Sequence, residues 1–257
     1  MAPTLIDLTH PVTTGMPVYP GDPEVELRPA LTTATAGVNV LALHLGSQSG
    51  THVDAPYHVD VTWPTLDGLP LALFTGPAVV ADLRGLEPRT AVTPGLLADA
   101  LGRLTPGAVL LLATGWPRHW GTDRYLAHPY LTPAAAEALV AAGVRTLGVD
   151  ALSIDRTPDP GPADPAVAAL LADLADEHDD HGGPGGTGGP VEGGDGGLAA
   201  HRVLLGAEGG AVLAENLTDL TALLDAQAAG VPVEVSFFPL RLVAADGAPV
   251  RAVARIG

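Results

Sequence analysis

The chain has 257 residues, 47% of them apolar, and twelve basic against 29 acidic side chains give a formal charge of −17. That balance argues against a nucleic-acid partner, whose phosphate backbone needs a basic patch. The absence of cysteine excludes disulfides and thiolate metal ligands.

No apolar run reaches the roughly 18 residues of a membrane-spanning helix, so no membrane partner is expected. The N-terminus, from Met1 to Asp7, lacks the basic and apolar regions of a signal peptide, so a cytoplasmic location is expected. All twelve basic residues are Arg, and the acidity reads as solvating surface charge.

In chain order, Leu5 to His10 reads as a short strand. Met16 to Asp22 is rich in turn residues and carries Tyr19, an exposed aromatic that either packs in its loop or walls a pocket. Val38 to Leu45 alternates enough for a strand, with His44 a structural residue on it, feeding straight into a polar stretch. Pro77 to Leu83 and Ala108 to Ala113 are apolar runs read as buried strands. Thr93-Pro94 and Thr132-Pro133 each place an N-cap before a first-turn proline, predicting helices to about Leu104 and Gly143. Between them, Thr114 to Trp120 is a polar and aromatic loop whose Trp116, His119 and Trp120 either line a pocket or pack for stability.

Arg145 to Asp150 reads as a strand, with Asp150 and Asp155 near its carboxyl end, where they cap turns or face a ligand. Residues 158 to 200 read as a flexible Gly/Asp-rich insertion, with a short helix over Pro165 to Glu177 and two histidines, His178 and His181, suited to adventitious metal binding. Structure resumes at His201. Glu215 lies where an apolar strand meets a helix running to about Ala229, and a carboxylate embedded there is costly unless paired or bound to a cation. Val231 to Phe238 and Pro249 to Arg255 read as the last two strands. The whole, 1–257, is expected to be a single domain.

The stretch Gln48-Ser49-Gly50-Thr51-His52-Val53-Asp54-Ala55-Pro56-Tyr57-His58 carries the chemistry. His52 and Asp54, two apart, point to the same side of an extended segment. Imidazole and carboxylate together suit a divalent metal such as zinc or manganese. Bound metal lowers the pKa of its water to about 7, and an imidazole left off the metal can move protons.

This stretch resembles the motif His-x-Gly-Thr-His-x-Asp-x-Pro-x-His of the metal-dependent cyclase superfamily, which includes bacterial kynurenine formamidase and isatin hydrolase. It matches at every position but the first, where Gln48 stands. Pro17 to Asp22, Thr114-Gly115-Trp116, Gly148-Val149-Asp150 and Glu215-Asn216-Leu217 extend the resemblance over nearly the whole chain apart from 158–200. It implies an α/β fold with a mixed, barrel-like sheet flanked by helices, in homodimers or homotetramers. By the same resemblance His52 and Asp54 are metal ligands and Gln48 occupies a ligand position. His201 and Glu215 form a second ligand pair, His58 is the general acid/base, and Tyr19 lines the substrate pocket. One or two metal ions per subunit, zinc or manganese, are expected.

Two departures stand out. Gln48 offers a harder oxygen donor than imidazole, which favours manganese over zinc or a single-metal site. The gap from His201 to Glu215 is longer than the resemblance implies, with Gly209-Gly210 inside it, and this would either form a small loop or displace Glu215. The expected function is a metal-dependent hydrolase, arylformamidase-like, acting on an amide, lactam or lactone of a small aromatic substrate. The alternatives are a metal-dependent cyclase or dehydratase, and a non-catalytic binding protein.

Overall fold

A computed structural model describes residues 3–158 and 198–257. Its strands are β1 (Thr4–Asp7), β2 (Glu26–Leu31), β3 (Val40–His44), β4 (His52–Asp54), β5 (Thr75–Asp82), β6 (Ala91–Val92) and β7 (Val109–Ala113). They continue with β8 (Tyr130–Leu131), β9 (Thr146–Val149), β10 (Val212–Glu215), β11 (Val233–Ser236), β12 (Gly247–Pro249) and β13 (Val253–Ile256). The helices are α1 (Thr33–Ala36), α2 (Pro94–Leu101), α3 (Pro133–Ala141), α4 (Ala199–Leu205) and α5 (Leu220–Ala228).

Nine strands form one mixed sheet in the order β1-β13-β11-β5-β7-β9-β10-β4-β12. Its centre, β5-β7-β9-β10, is parallel, and its flanks are antiparallel. The central strands are the apolar runs of the sequence, buried on both faces as parallel strands are. Along β7 the side chains alternate. Leu110 and Leu112 pack with Leu97, Leu139 and Leu204, which belong to α2, α3 and α4. Val109 and Leu111 face the opposite core, with Leu220 and Leu223 of α5.

The sheet is curled, as the connection from β12 to β13 requires. β12 lies at one margin and β13 next to the other, seven strand spacings away, or about 34 Å in a flat sheet. Only Val250, Arg251 and Ala252 join them, a reach of about 14 Å. The margins therefore meet, and Ala252 accepts the backbone N–H of Leu8 while Val250 donates to Thr51. The expected single strand from Pro249 to Arg255 is thus two strands serving opposite margins.

Other boundaries also shift. α2 ends at Leu101, a turn before Leu104, because beyond Gly102 the chain tightens into i→i−3 bonds from Arg103 and Leu104. Thr132 caps α3 through its hydroxyl, 3.1 Å from the N–H of Ala135, whereas Thr93 occupies the N-cap of α2 without a side-chain bond. β3 does not join the main sheet. It pairs only with β2, which the sequence reading missed, in a hairpin exposed along most of its length. The predicted helix Pro165 to Glu177, His178 and His181 lie outside the described residues. Among the described residues no helix is long and apolar enough to cross a membrane.

Candidate active site

β4 and β10 are antiparallel neighbours with His52 opposite Glu215 and Asp54 opposite Leu213. The period of two along β4 puts His52 and Asp54 on one face, with His52 Nε2 3.4 Å from Asp54 Oδ1. Glu215 Oε2 lies 3.8 Å from His52 Nε2. From the start of α4, His201 Nε2 reaches within 3.4 Å of Glu215 Oε1 and 3.7 Å of Asp54 Oδ2. The loop between α4 and β10 takes up the long gap, with Gly209 and Gly210 both at positive φ, so Glu215 stays beside His201. His52, Asp54 and Glu215 are all buried and each offers a ligand atom within 4.8 Å of the others.

Each side chain is anchored from behind. His52 Nδ1 lies 2.8 Å from the carbonyl oxygen of Gly50, which fixes one proton there and turns Nε2 toward the carboxylates, where a cation would replace its proton. Gly50 has φ +65°, a left-handed conformation that favours glycine, and a Cβ there would stand 2.9 Å from Met16 Cε. His201 Nδ1 sits 2.7 Å from Asp155 Oδ2, and Asp155 also accepts the backbone N–H groups of Ala200 and His201. Glu215 Oε1 accepts the N–H of Ile154 at 2.8 Å. Asp54 is the exception, since both of its oxygens are buried without a hydrogen-bond partner.

An orphaned carboxylate beside a second buried one demands positive charge. Burial alone would lower the His52 and His201 pKa values, yet the carboxylates outweigh it and raise them to about 9 and about 10. Burial pushes Glu215 up to about 7, while the neighbouring imidazoles hold Asp54 below the ordinary carboxylate value despite its burial. The His52 imidazole and the Asp54 and Glu215 carboxylates come close enough together to share a divalent cation, with His201 Nε2 beside the two carboxylates.

His52, His201 and Glu215 line a cavity of about 290 Å³, together with Pro17, Val18, Tyr19, Leu152 and Leu198, and Asp54 lies buried behind them. Tyr19 is half-buried here and packs on the core, so it is both loop packing and pocket wall. His58 lies on the 3-10 turn Pro56–His58 that Pro56 starts directly after β4. Its ring centroid is 5.9 Å from that of His201. Gln48 also lines the cavity, but its amide nitrogen donates to Asp246 Oδ2 at 2.9 Å. The same Asp246 oxygen is 3.3 Å from His58 Nδ1.

Asp246 and the anchoring role of Asp155 escaped the sequence reading. Asp155 was placed near a site only by its strand end, and Asp246-Gly247 looks like any turn dipeptide. Asp150 caps a turn, accepting from the N–H groups of Thr114 and Gly115. The loop aromatics do not wall the cavity. Trp116 is fully buried with Nε1 donating to the carbonyl of Tyr125, Trp120 stacks on His10 at 3.9 Å, and His119 is only partly covered. His44 lies exposed on the hairpin.

A family model described as "Putative cyclase" matches residues 6–156. Among solved structures, the chain is similar to isatin hydrolase A from Labrenzia aggregata bound to benzyl benzoate, at 22% identity and TM-score 0.70, over 99% of this chain and 94% of that one. It is also similar to a predicted metal-dependent hydrolase from Bacillus stearothermophilus, at 21% identity and TM-score 0.67, over 99% of each chain. A third match is a potential metal-dependent hydrolase with cyclase activity, at 22% identity and TM-score 0.65, over 99% of this chain and 98% of that one. These likenesses establish the shared fold.

Proposed function

The chain belongs to the cyclase family, and from that premise we propose that it is a metal-dependent hydrolase cleaving an amide, lactam or lactone of a small aromatic substrate. The observation that carries this reading is the buried, unpartnered Asp54 carboxylate facing Glu215 and the two imidazoles of His52 and His201. These four residues would hold a divalent cation, zinc or manganese. The engagement of the Gln48 amide by Asp246 favours one cation per subunit. When bound, such a cation polarises a carbonyl oxygen and acidifies water.

The chain's own residues supply the rest. Asp246 fixes the Nδ1 side of His58, leaving Nε2 to take the proton of the attacking water and return it to the leaving nitrogen or oxygen. Tyr19, Pro17, Val18, Leu152 and Leu198 give an apolar wall for an aromatic ring. The cavity, near the lower end of the usual range for ligand pockets, suits a one- or two-ring substrate.

The test is a panel of formanilides, isatin and aryl lactones assayed with zinc and with manganese. Metal-dependent turnover of at least one member is expected. Protein that turns over none of them, and neither carries nor takes up stoichiometric metal, would be a binding protein instead. The family description and one of the similar structures bear the word cyclase, which favours cyclisation or dehydration as the second reading. Reaction in heavy-oxygen water separates the two, since hydrolysis places solvent oxygen in the product.

The β2–β3 hairpin supports association of two copies. A two-stranded ribbon is marginal alone in water, and this one exposes Leu31, Val40, Leu41 and Leu43 by 43–63%.

A further inference from the structure

One acid on the cavity wall has no part in the chemistry above. Asp22 lines the same cavity as His52, His58 and Glu215. It closes the turn that begins at Tyr19, whose carbonyl accepts the Asp22 N–H at 3.0 Å. Its carboxylate is half-buried and makes no hydrogen bond or ion pair with any described residue. Burial holds it above the ordinary carboxylate range, against the attraction of His52 and His58, while Asp246 and Asp54 push it the same way as burial.

The other acids of the site are accounted for. Asp54 and Glu215 face the imidazoles and the proposed cation, and Asp246 is held by Gln48 and His58. No Arg lines the cavity, and the sequence has no Lys to do so. A half-buried carboxylate that no described side chain hydrogen-bonds or pairs with directly, lining the same cavity as the ligands though 30 residues from His52 in sequence, leaves a negative subsite beside an apolar one. Charge complementarity then sorts substrates, because a mismatched charge stays unpaired on desolvation.

We propose that Asp22 is a specificity-determining residue that receives a primary ammonium group on the aromatic substrate, so that the site takes ammonium-bearing aryl amides or lactams and rejects carboxylate-bearing ones. This rests on the hydrolase reading for its substrate class, but not for the binding of the ammonium itself. The apolar wall beside Tyr19 holds the ring, the ammonium meets Asp22, and the scissile carbonyl is directed toward the buried group. A charge-assisted hydrogen bond of this kind is worth about tenfold or more in affinity.

The test has two arms. In the first, formanilides carrying an aminomethyl, a hydroxymethyl or a carboxyl substituent, at the meta and the para position, are compared by kcat/KM. The wild-type protein should prefer the aminomethyl compound over its hydroxymethyl isostere by about tenfold or more, mainly through KM, and disfavour the carboxylate. Asp22→Asn should bring the first two within about twofold. Asp99→Asn, an equal charge change on α2 lining a different depression, should leave the preference intact.

In the second arm, calorimetry measures benzylamine and benzyl alcohol on zinc-loaded protein. Benzylamine binding should weaken about tenfold in Asp22→Asn while benzyl alcohol binding holds. No charge preference in the wild type, or a preference that survives Asp22→Asn, overturns the assignment and leaves the hydrolase reading standing. Asp22-dependent benzylamine binding in a protein that turns over no member of the formanilide, isatin and lactone panel supports the subsite and removes the hydrolase reading instead.

Discussion

Asp246 Oδ2 lies 3.3 Å from His58 Nδ1 although 188 residues separate them, and the same oxygen accepts the Gln48 amide at 2.9 Å. One carboxylate thus holds both the proposed proton carrier and the residue that stands in the first position of the motif. The His58 bond holds the Asp246 carboxyl well below its ordinary value, against its partial burial. A carboxylate behind an imidazole fixes the tautomer and the ring orientation.

Asp246→Asn should therefore lower kcat by about 10- to 100-fold with little change in KM, and leave metal content unchanged. His58→Ala should cost at least about 100-fold. Steady-state kinetics beside elemental analysis check both. Full activity in either variant would remove that residue from the proton path.

Cation binding should stabilise the fold, because the converging ligands exist only in the native chain. Zinc or manganese at about 100 times its dissociation constant should add about 2.7 kcal/mol. The gain should vanish in Asp54→Asn, whose neutral amide no longer demands a cation. Thermal melts with and without metal read this directly, and an Asp54→Asn protein that still gained the full shift would place the cation elsewhere.

Gly247 permits the close approach of β12 to β4. A Cβ there would stand 2.5 Å from the Val53 carbonyl oxygen and 2.6 Å from Gln48 Nε2. The backbone contact cannot be relieved by a side-chain rotation. Gly247→Ala should destabilise the protein by about 1–3 kcal/mol and lower activity by displacing Gln48 and Asp246. Urea unfolding measures the first effect, and a midpoint equal to wild type would show that the margin is loose.

Acid should weaken the fold through two buried histidines. Burial lowers both His10 and His128 to about 4 in the folded protein, against about 6.5 in the unfolded chain. Between those values only the unfolded chain binds the extra protons, so the contribution of these two histidines is complete above about pH 6.5 and is lost as pH drops toward 4. His128 alone accounts for about 3 kcal/mol over that range. His10→Phe keeps the stack on Trp120 and should flatten part of the slope. Urea midpoints from pH 4.5 to 7.5 test this, and identical slopes in the two proteins would contradict it.

The hairpin gives the remaining expectation. Leu41 and Leu43, two apart on β3, are 53% and 63% exposed. Changing both to Ser should turn a dimer into a monomer by light scattering while the isolated fold persists. Wild-type protein that is monomeric at every concentration would end this reading.

Several features were legible in the sequence because they are local. His52 and Asp54 share a face through the period of a single short strand, Gly50 and Pro56 bend the chain on either side of it, and apolar runs announce the buried parallel strands. Tertiary structure decided the rest. It brought Asp246 to His58 and Asp155 to His201, sank Trp116 into the core, and split Pro249 to Arg255 between two margins of a curled sheet. Those outcomes depend on which distant segments meet when the sheet closes, and that closure is set by the summed burial of many side chains rather than by any residue's immediate neighbours.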